Sequence, residues 1–262
     1  MSLLYILLQL LLDYLGVYPL QGSCGIKCKE IPMELVFVID SSESVGPENF
    51  EIIKDFVTAL LDRVTVGRNA TRIGLVLYSL EVQLEFGLNK YTTQQDVKRA
   101  IRKMQYMGEG TYTGTAIRKA TQEGFLGART GVRKVAIVLT DGQADKREAV
   151  KLDIAVREAH AANIEMYAIG IVNTSDPTQA EFVHELNLIA SDPDREHMYL
   201  IDDFNTLPGA CTAALFCIIS DASQNRGKKY IIFVEIIVKR NVERLVCFLL
   251  EVRICICLYI NN

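Results

Sequence analysis

The chain contains little of what marks several large protein classes. Its 262 residues include three histidines and seven cysteines, and residues 29–210 contain no cysteine. Zinc sites need paired cysteine and histidine spacings, whereas Cys24 and Cys28 have no histidine near them in the sequence. The chain therefore lacks the pattern of a zinc module and of a dense disulfide scaffold. Cysteines placed only toward the two ends favour a disulfide that closes a domain at its flanks.

Positive charge and long apolar segments are also scarce. The formal net charge is −4 and the isoelectric point is about 5.5, which argues against nucleic acid as a partner. The apolar run at residues 3–12 is too short to span a bilayer and has the length of a signal-peptide core. We therefore expect residues 1–22 to be a signal peptide, the protein to be secreted, and the chain to have no membrane span.

Motifs of catalysis and of collagen are absent as well. The sequence has no G-x-S-x-G elbow, no G-x-x-x-x-G-K-[ST] phosphate loop and no G-x-y repeat. His160, His184 and His197 fall in predicted helices or at the start of a predicted strand, where surface or packing roles are expected. We expect no enzyme. A metal-dependent phosphotransferase or hydrolase is the disfavoured alternative, because a D-x-D pair would need an acid where Ser42 stands.

What the chain does have is an alternation of strand and helix patterns. Apolar runs predict strands at 35–39, 72–79, 82–86, 134–140, 165–172 and 197–201. Helical spacing predicts helices at 47–64, 93–104, 113–127, 146–162, 178–190 and 203–219. Repeated strand–helix units predict a Rossmann-like, doubly wound α/β fold whose mostly parallel sheet has helices on both faces. The short gap before residues 82–86 makes that strand an antiparallel edge partner.

The same pattern sets the predicted domain organisation. Residues 23–32 form a short linker, residues 33–220 form the domain, and residues 221–262 lack the strand–helix alternation. We expect this tail to lie outside the domain as aberrant or disordered sequence. Asn69 and Asn173 each begin an N-x-[ST] sequence, so both are candidate glycosylation sites.

Oxygen-bearing side chains cluster where the first strand ends. In DSSES, Asp40, Ser42 and Ser44 alternate, so an extended backbone would point all three the same way. Thr111 precedes another predicted helix and Asp141 follows the strand KVAIVLT; ligands gather at such carboxyl ends of strands. Hydroxyls and carboxylates without sulfur or imidazole suit Mg²⁺ or Mn²⁺. The alternative is that the serines cap a helix and that TDG is an ordinary turn.

This set of motifs resembles the von Willebrand factor type A domain and its metal-ion-dependent adhesion site (MIDAS). The matching pieces are DSSES, the first threonine of TYTGTAI and the aspartate of VLTDG, and the resemblance covers residues 33–216. Wider stretches such as ELNLIASDPDREHMYLIDDF are most similar to A domains of collagen chains and matrilins. Type XXVIII collagen is the nearest resemblance, and collagen VI is related.

The resemblance implies a secreted adhesion module of the extracellular matrix. Its metal would be held by Asp40, Ser42, Ser44, Thr111 and Asp141 and completed by a carboxylate of the partner, such as a collagen or another matrix component. The alternative is a structural A domain whose metal site is only stabilising. The resemblance also implies a disulfide that ties the ends of the domain, for which we expect Cys28 to pair with Cys217, with Cys211 as the alternative partner.

Overall fold

The computed structural model describes residues 31–172, 179–207, 232–233 and 255–256. The chain separates into two units, Met1–Ser220 and Asp221–Asn262. In the second unit, the described residues form two short strands that pair antiparallel, Ile232–Phe233 and Cys255–Ile256. Several sequence predictions lie outside the described residues: the signal peptide at 1–22, Cys24, Cys28, Asn173, Cys211, Cys217 and most of the predicted last helix.

A six-stranded sheet forms the centre of the first unit. Its strands are β1 (Met33–Asp40), β2 (Arg72–Tyr78), β3 (Val82–Phe86), β4 (Arg133–Thr140), β5 (Ile164–Ile171) and β6 (Met198–Ile201). They lie in the order β3-β2-β1-β4-β5-β6, and β3 pairs antiparallel with β2 while the other pairings are parallel. The predicted doubly wound α/β fold and its antiparallel edge strand are confirmed.

The helices are α1 (Gly46–Leu61), α2 (Gln94–Arg102), α3 (Thr113–Lys119), α4 (Leu152–Ala161), α5 (Ala180–Ile189) and α6 (Asp194–His197). A π-helical turn, Ala120–Gly124, continues α3, and a 3₁₀ turn, Phe204–Thr206, follows β6. None of the helices in the described part of the chain is long and apolar enough to cross a membrane.

Several predicted boundaries differ from the structure, and three of the differences concern the path of the chain near functional or buried residues. The helix predicted at 146–162 begins only at Leu152, because residues 141–150 form a loop that hydrogen-bonds to the segment before α3. The helix predicted at 113–127 gives way to the π-helical turn after Lys119. His197, predicted to begin a strand, instead ends α6, and β6 begins one residue later.

Strand β1 is buried on both faces, as its uninterrupted apolar sequence predicts. Leu35, Phe37 and Ile39 pack in the cluster that contains the apolar side of α1. Val36 and Val38 face the opposite cluster, which contains apolar residues of α3 and α4. Strand β1 lies between β2 and β4, so its carboxyl end is central in the row of strand ends on that side of the sheet. The polar residues of DSSES follow there.

Candidate metal site

Two carboxylates meet at this edge because their strands are neighbours. Asp40 is the last residue of β1, and Asp141 directly follows β4. The two strands are parallel and pair from Met33 with Arg133 to Ile39 with Leu139. Parallel pairing in this register necessarily places both acids at the same end of the sheet.

A turn after β1 brings the two serine hydroxyls together. Ser42 Oγ lies 3.0 Å from Ser44 Oγ, and the Ser44 hydroxyl donates a hydrogen bond of 2.7 Å to Asp141 Oδ1. Residues 43–45 form the turn, so the extended backbone assumed from the alternation of DSSES is wrong beyond Ser42. The predicted convergence of these oxygens is nevertheless present. The exposed side chain of Glu43 occupies the turn between the two serines.

Asp40 is fully buried and receives its hydrogen bonds from neutral groups. The Ser42 backbone N–H donates to Asp40 Oδ1 over 2.8 Å, and the Thr140 hydroxyl donates to Asp40 Oδ2 over 2.7 Å. Burial, followed by the negative charge of Asp141, raises the pKa of Asp40 to about 7. Burial also raises the pKa of Asp141. Two acids whose charged forms are disfavoured in this way form a site that a cation would stabilise.

The capping alternative predicts that a serine side chain accepts a hydrogen bond from the start of α1. The N-cap residue of α1 is Val45, which makes no side-chain hydrogen bond to the helix. The hydroxyls of Ser42 and Ser44 instead contact each other and Asp141. The turn reading of TDG holds in part, because the Thr140 hydroxyl also donates to the Gly142 carbonyl over 3.2 Å.

Thr111 reaches the same edge through backbone hydrogen bonds. Its carbonyl accepts the N–H of Asp145 over 2.9 Å, and the next residue, Tyr112, donates its N–H to the Ser79 carbonyl over 3.0 Å. Gly110 has φ +78°, and a Cβ there would lie 2.3 Å from the side chain of Leu80, so glycine permits this close approach. Thr111 is half-buried. The other four predicted residues are linked in a row by hydrogen bonds: Asp40 with Ser42, Ser42 with Ser44, and Ser44 with Asp141.

Four residues that the sequence analysis did not select also shape the site. The Tyr106 hydroxyl donates to the Ser42 carbonyl over 3.1 Å, and the Met107 N–H donates to the Ser41 hydroxyl over 2.9 Å. Thr140 holds Asp40 as described above. Ser41 and Thr140 stand within the quoted motifs and could have been noticed there. Tyr106 carries no local signal, because its contact depends on how a distant loop folds back.

The donor set fits a hard divalent cation. Two carboxylates and three hydroxyls are ligands that Mg²⁺ and Mn²⁺ prefer, and no imidazole or thiolate belongs to the set. In the described ranges, no group of three or more histidine, cysteine, aspartate or glutamate side chains could hold a metal. A cation at this end of the sheet would need oxygen donors besides the two carboxylates, and the hydroxyls of Ser42 and Ser44 are placed to supply them.

A family model described as the von Willebrand factor type A domain matches residues 34–212. The chain belongs to the von Willebrand factor type A domain family. The A domain is 39% identical over 189 residues to mouse Matrilin-2, covering 69% of this chain and 18% of that protein. It is 39% identical over 177 residues to human Matrilin-1, covering 66% of this chain and 34% of that protein. The chain thus spans about a third or less of these relatives.

Solved structures of proximal thread matrix protein 1 from the mussel byssus share the fold of this A domain. One has a TM-score of 0.63 and 25% sequence identity, and the match covers 72% of this chain and 46% of that chain. Another, described as having a zinc-occupied MIDAS motif, has a TM-score of 0.61 and 26% identity over 72% of this chain and 48% of that chain. The sequence matches to Matrilin-1 and Matrilin-2 support the matrilin resemblance, and none of the matches named here supports the narrower resemblance to type XXVIII collagen.

Proposed function

We propose that this A domain is an adhesion module of the extracellular matrix that binds protein partners through Mg²⁺ or Mn²⁺. Asp40, Ser42, Ser44, Thr111 and Asp141 would hold the cation. The observation that carries the proposal is the row of oxygens at the carboxyl ends of β1 and β4, in which Ser42, Ser44 and Asp141 are linked by contacts of 3.0 and 2.7 Å.

The five residues divide into two chemical roles in this proposal. Ser42, Ser44 and Thr111 act as direct neutral ligands, while Asp40 and Asp141 supply negative charge, partly through bound water. When bound, the cation supplies a positive charge that the hydroxyls do not cancel, and a carboxylate of the partner completes its oxygen shell. Asp40 is suited to a charge-supplying role because both of its oxygens already accept hydrogen bonds within the protein.

The relatives support the matrix setting. The matching proteins are matrilins and a thread matrix protein, and one structure of the latter has zinc at its MIDAS motif. We therefore propose collagens or other matrix components as the class of partner, and secretion with removal of residues 1–22. Asn69 is exposed in the loop between α1 and β2, where a glycan can be accommodated.

A structural A domain with a stabilising metal site is the alternative. It is favoured by two sets of bonds that the protein already makes: the serine hydroxyls contact each other and Asp141, and Asp40 accepts the Thr140 hydroxyl. We propose no catalytic role. His160 and His184 are exposed on α4 and α5, and His197 is buried against Glu165, near the amino end of β5 and so at the opposite end of the sheet from the oxygens.

The test measures Mg²⁺ affinity by calorimetry, and binding to immobilised matrix proteins with and without EDTA. We expect Asp141→Ala and Thr111→Ala to abolish Mg²⁺-dependent binding, because near-octahedral Mg²⁺ tolerates the loss of an oxygen poorly. Both residues lie outside the buried core, so each substitution should lower the free energy of unfolding by only roughly 1 kcal/mol. The melting temperature of each variant should therefore shift by only a few degrees. Glu43→Ala is the matched control in the same turn and should bind as the wild type does.

The alternatives give different results. Matrix binding that survives EDTA, with Mg²⁺ still raising the melting temperature, would indicate the stabilising site. Equal Mg²⁺ affinity in the wild type and Asp141→Ala would show that the oxygens of DSSES do not bind the cation.

A further inference from the structure

A buried carboxylate links the two loops that carry Thr111 and Asp141. Glu148 is 4% exposed and lies in the loop between β4 and α4. Its Oε1 accepts the N–H of Gly114 over 3.0 Å, and its Oε2 accepts both the N–H and the hydroxyl of Thr115 over 3.1 Å. All three donors belong to the first turn of α3, directly after Thr111. A side chain from the Asp141 loop thus fixes the end of the Thr111 loop.

Backbone contacts between the same loops run parallel to this connection. The Asp145 N–H donates to the Thr111 carbonyl over 2.9 Å, and the Glu148 N–H donates to the Asp145 carbonyl over 3.0 Å. A Cβ at Gly114 would lie 2.5 Å from the Val150 carbonyl oxygen, so only glycine allows the loops to approach this closely. The two loops therefore form one packed unit at the edge of the sheet.

We propose that Glu148 is a positioning residue for the cation site, holding Thr111 at a fixed place relative to Asp141. The proposal rests on the function proposed above. With Glu148 present, the hydroxyl of Thr111 and the carboxylate of Asp141 are ordered before the cation arrives. Without it, binding must order the Thr111 loop, and this cost lowers the affinity for the cation. Glu148 is not one of the five proposed ligands, because its carboxylate oxygens accept hydrogen bonds from Gly114 and Thr115.

A helix cap that serves only stability would behave differently. Loss of such a cap lowers the melting temperature but leaves the Mg²⁺ affinity of the folded protein unchanged. The deciding measurement is thus calorimetry with Mg²⁺ alone, at a temperature where circular dichroism shows each variant to be folded. The melting temperature is measured separately in EDTA, where the cation makes no contribution.

The chain offers a matched control between α3 and α4, the helix that follows the loop of Glu148. Arg118 of α3 and Glu158 of α4 form a bidentate ion pair, with distances of 2.7 and 2.8 Å, away from the ligand loops. Glu158→Ala removes a connection between the same two helices without touching the loops. We expect its Mg²⁺ affinity to equal that of the wild type.

For the full chain, we expect Glu148→Ala to lower Mg²⁺ affinity about tenfold, the lower end of what outer partners of metal ligands contribute. Glu148→Gln should lose less, because one amide oxygen can keep part of the three hydrogen bonds. This milder variant also keeps the test decisive if Glu148→Ala does not fold. Wild-type affinity in a folded Glu148→Ala or Glu148→Gln chain would overturn the positioning role while leaving the cation site intact. A wild-type chain that binds no Mg²⁺ would overturn both proposals.

Discussion

Two buried carboxylates on β1 lie in opposite electrostatic surroundings. Glu34, at the amino end, has no exposed side-chain surface and is bonded by Arg72 and Arg129, with shortest distances of 2.5 and 2.6 Å. Burial alone would raise the pKa of Glu34, but hydrogen bonds from Arg72 and Arg129 hold it below its ordinary value. Asp40, at the carboxyl end, is bonded only by neutral groups and its pKa is raised. The protein itself supplies the positive charge at one end, and the proposed cation supplies it at the other.

The first prediction at the residue scale concerns Glu34. Replacing Glu34 with Ala leaves Arg72 and Arg129 without their buried partner, so we expect a loss of about 3–5 kcal/mol in the free energy of unfolding. Denaturant unfolding measures this loss. The control is Asp153→Ala, which removes the exposed pair with Arg157 on α4 and should change stability by less than about 1 kcal/mol. Similar losses in the two variants would contradict the structural role of Glu34.

The proposed ligands could be predicted from the sequence because their placement follows from local pattern. Asp40 and Asp141 each stand where an apolar strand ends, and parallel pairing then brings them together. The contributions of Tyr106 and Glu148 could not be predicted in this way. Each depends on a contact with a residue more than 30 positions away, and no local periodicity encodes such a contact.

At the scale of elements, strands were easier to predict than helices. Buried strands are marked by uninterrupted apolar runs, and the observed strands follow these runs closely. The sequence predicts a helix from residue 146 because Lys146, Arg147 and Glu148 are good helix formers in isolation, but the helix begins only at Leu152. The loop is instead held by Glu185, which accepts the Ala144 N–H over 2.8 Å, and by the bonds of Glu148 to α3. Long-range hydrogen bonds override intrinsic helix propensity here.

The junction of α6 and β6 contains a buried histidine in a charged cluster. His197 Nε2 lies 3.0 Å from Glu165 Oε1, and its Nδ1 lies 3.1 Å from the Pro193 carbonyl oxygen. Because both ring nitrogens face acceptors, the geometry favours the doubly protonated ring. Arg133 and Tyr167 also bond to Glu165. Among the described residues, Glu196 of α6, His160 of α4 and Tyr199 of β6 also act electrostatically on this cluster.

The sign of the pH effect follows from these contacts. Burial would lower the pKa of His197, but the hydrogen bond to Glu165 raises it above the ordinary 6.5. Although burial opposes it, the hydrogen bonds of His197 and Arg133 lower the pKa of Glu165 to about 2 from 4.5. The histidine therefore stabilises the fold fully below pH 6.5 and less as the pH rises through its folded pKa. The glutamate stabilises fully above pH 4.5 and less as the pH falls toward 2.

The prediction at the element scale follows from that sign. We expect the stabilisation contributed by His197 to be lost as pH rises above 6.5 and through the raised pKa of the folded state, so the difference in unfolding free energy between wild type and His197→Gln should shrink as the pH rises. The difference should be about 1–3 kcal/mol at pH 6. Urea unfolding at several pH values, with His184→Gln on the exposed side of α5 as control, measures it. Asp40, whose pKa is raised to about 7, changes the unfolding free energy of the wild type and of the variant equally, so the difference between the two proteins does not contain its contribution. A difference independent of pH would contradict the charged state of His197.

At the scale of the whole molecule, the two ends of the six-stranded sheet carry different polar groups. The amino ends of the strands carry the ion pairs of Glu34 with Arg72 and of Arg133 with Glu165. The carboxyl ends carry the proposed metal site. We therefore expect substitutions at the amino ends to change mainly the free energy of unfolding, and substitutions at the carboxyl ends to change mainly the proposed cation binding.

The last prediction concerns the limits of the domain. All six strands of the sheet described for the first unit lie between Met33 and Ile201, so we expect a chain of residues 23–220 to keep the melting temperature and the Mg²⁺ affinity of residues 23–262. We further expect non-reducing peptide mapping of this chain, expressed for secretion, to find Cys28 joined to Cys217. Closing so long a loop is worth about 4–5 kcal/mol as an upper estimate, so Cys217→Ser should lower the melting temperature, while Cys211→Ser should not. Free thiols at both Cys28 and Cys217 would refute the pairing, and a shortened chain that melts several degrees lower would refute the boundary.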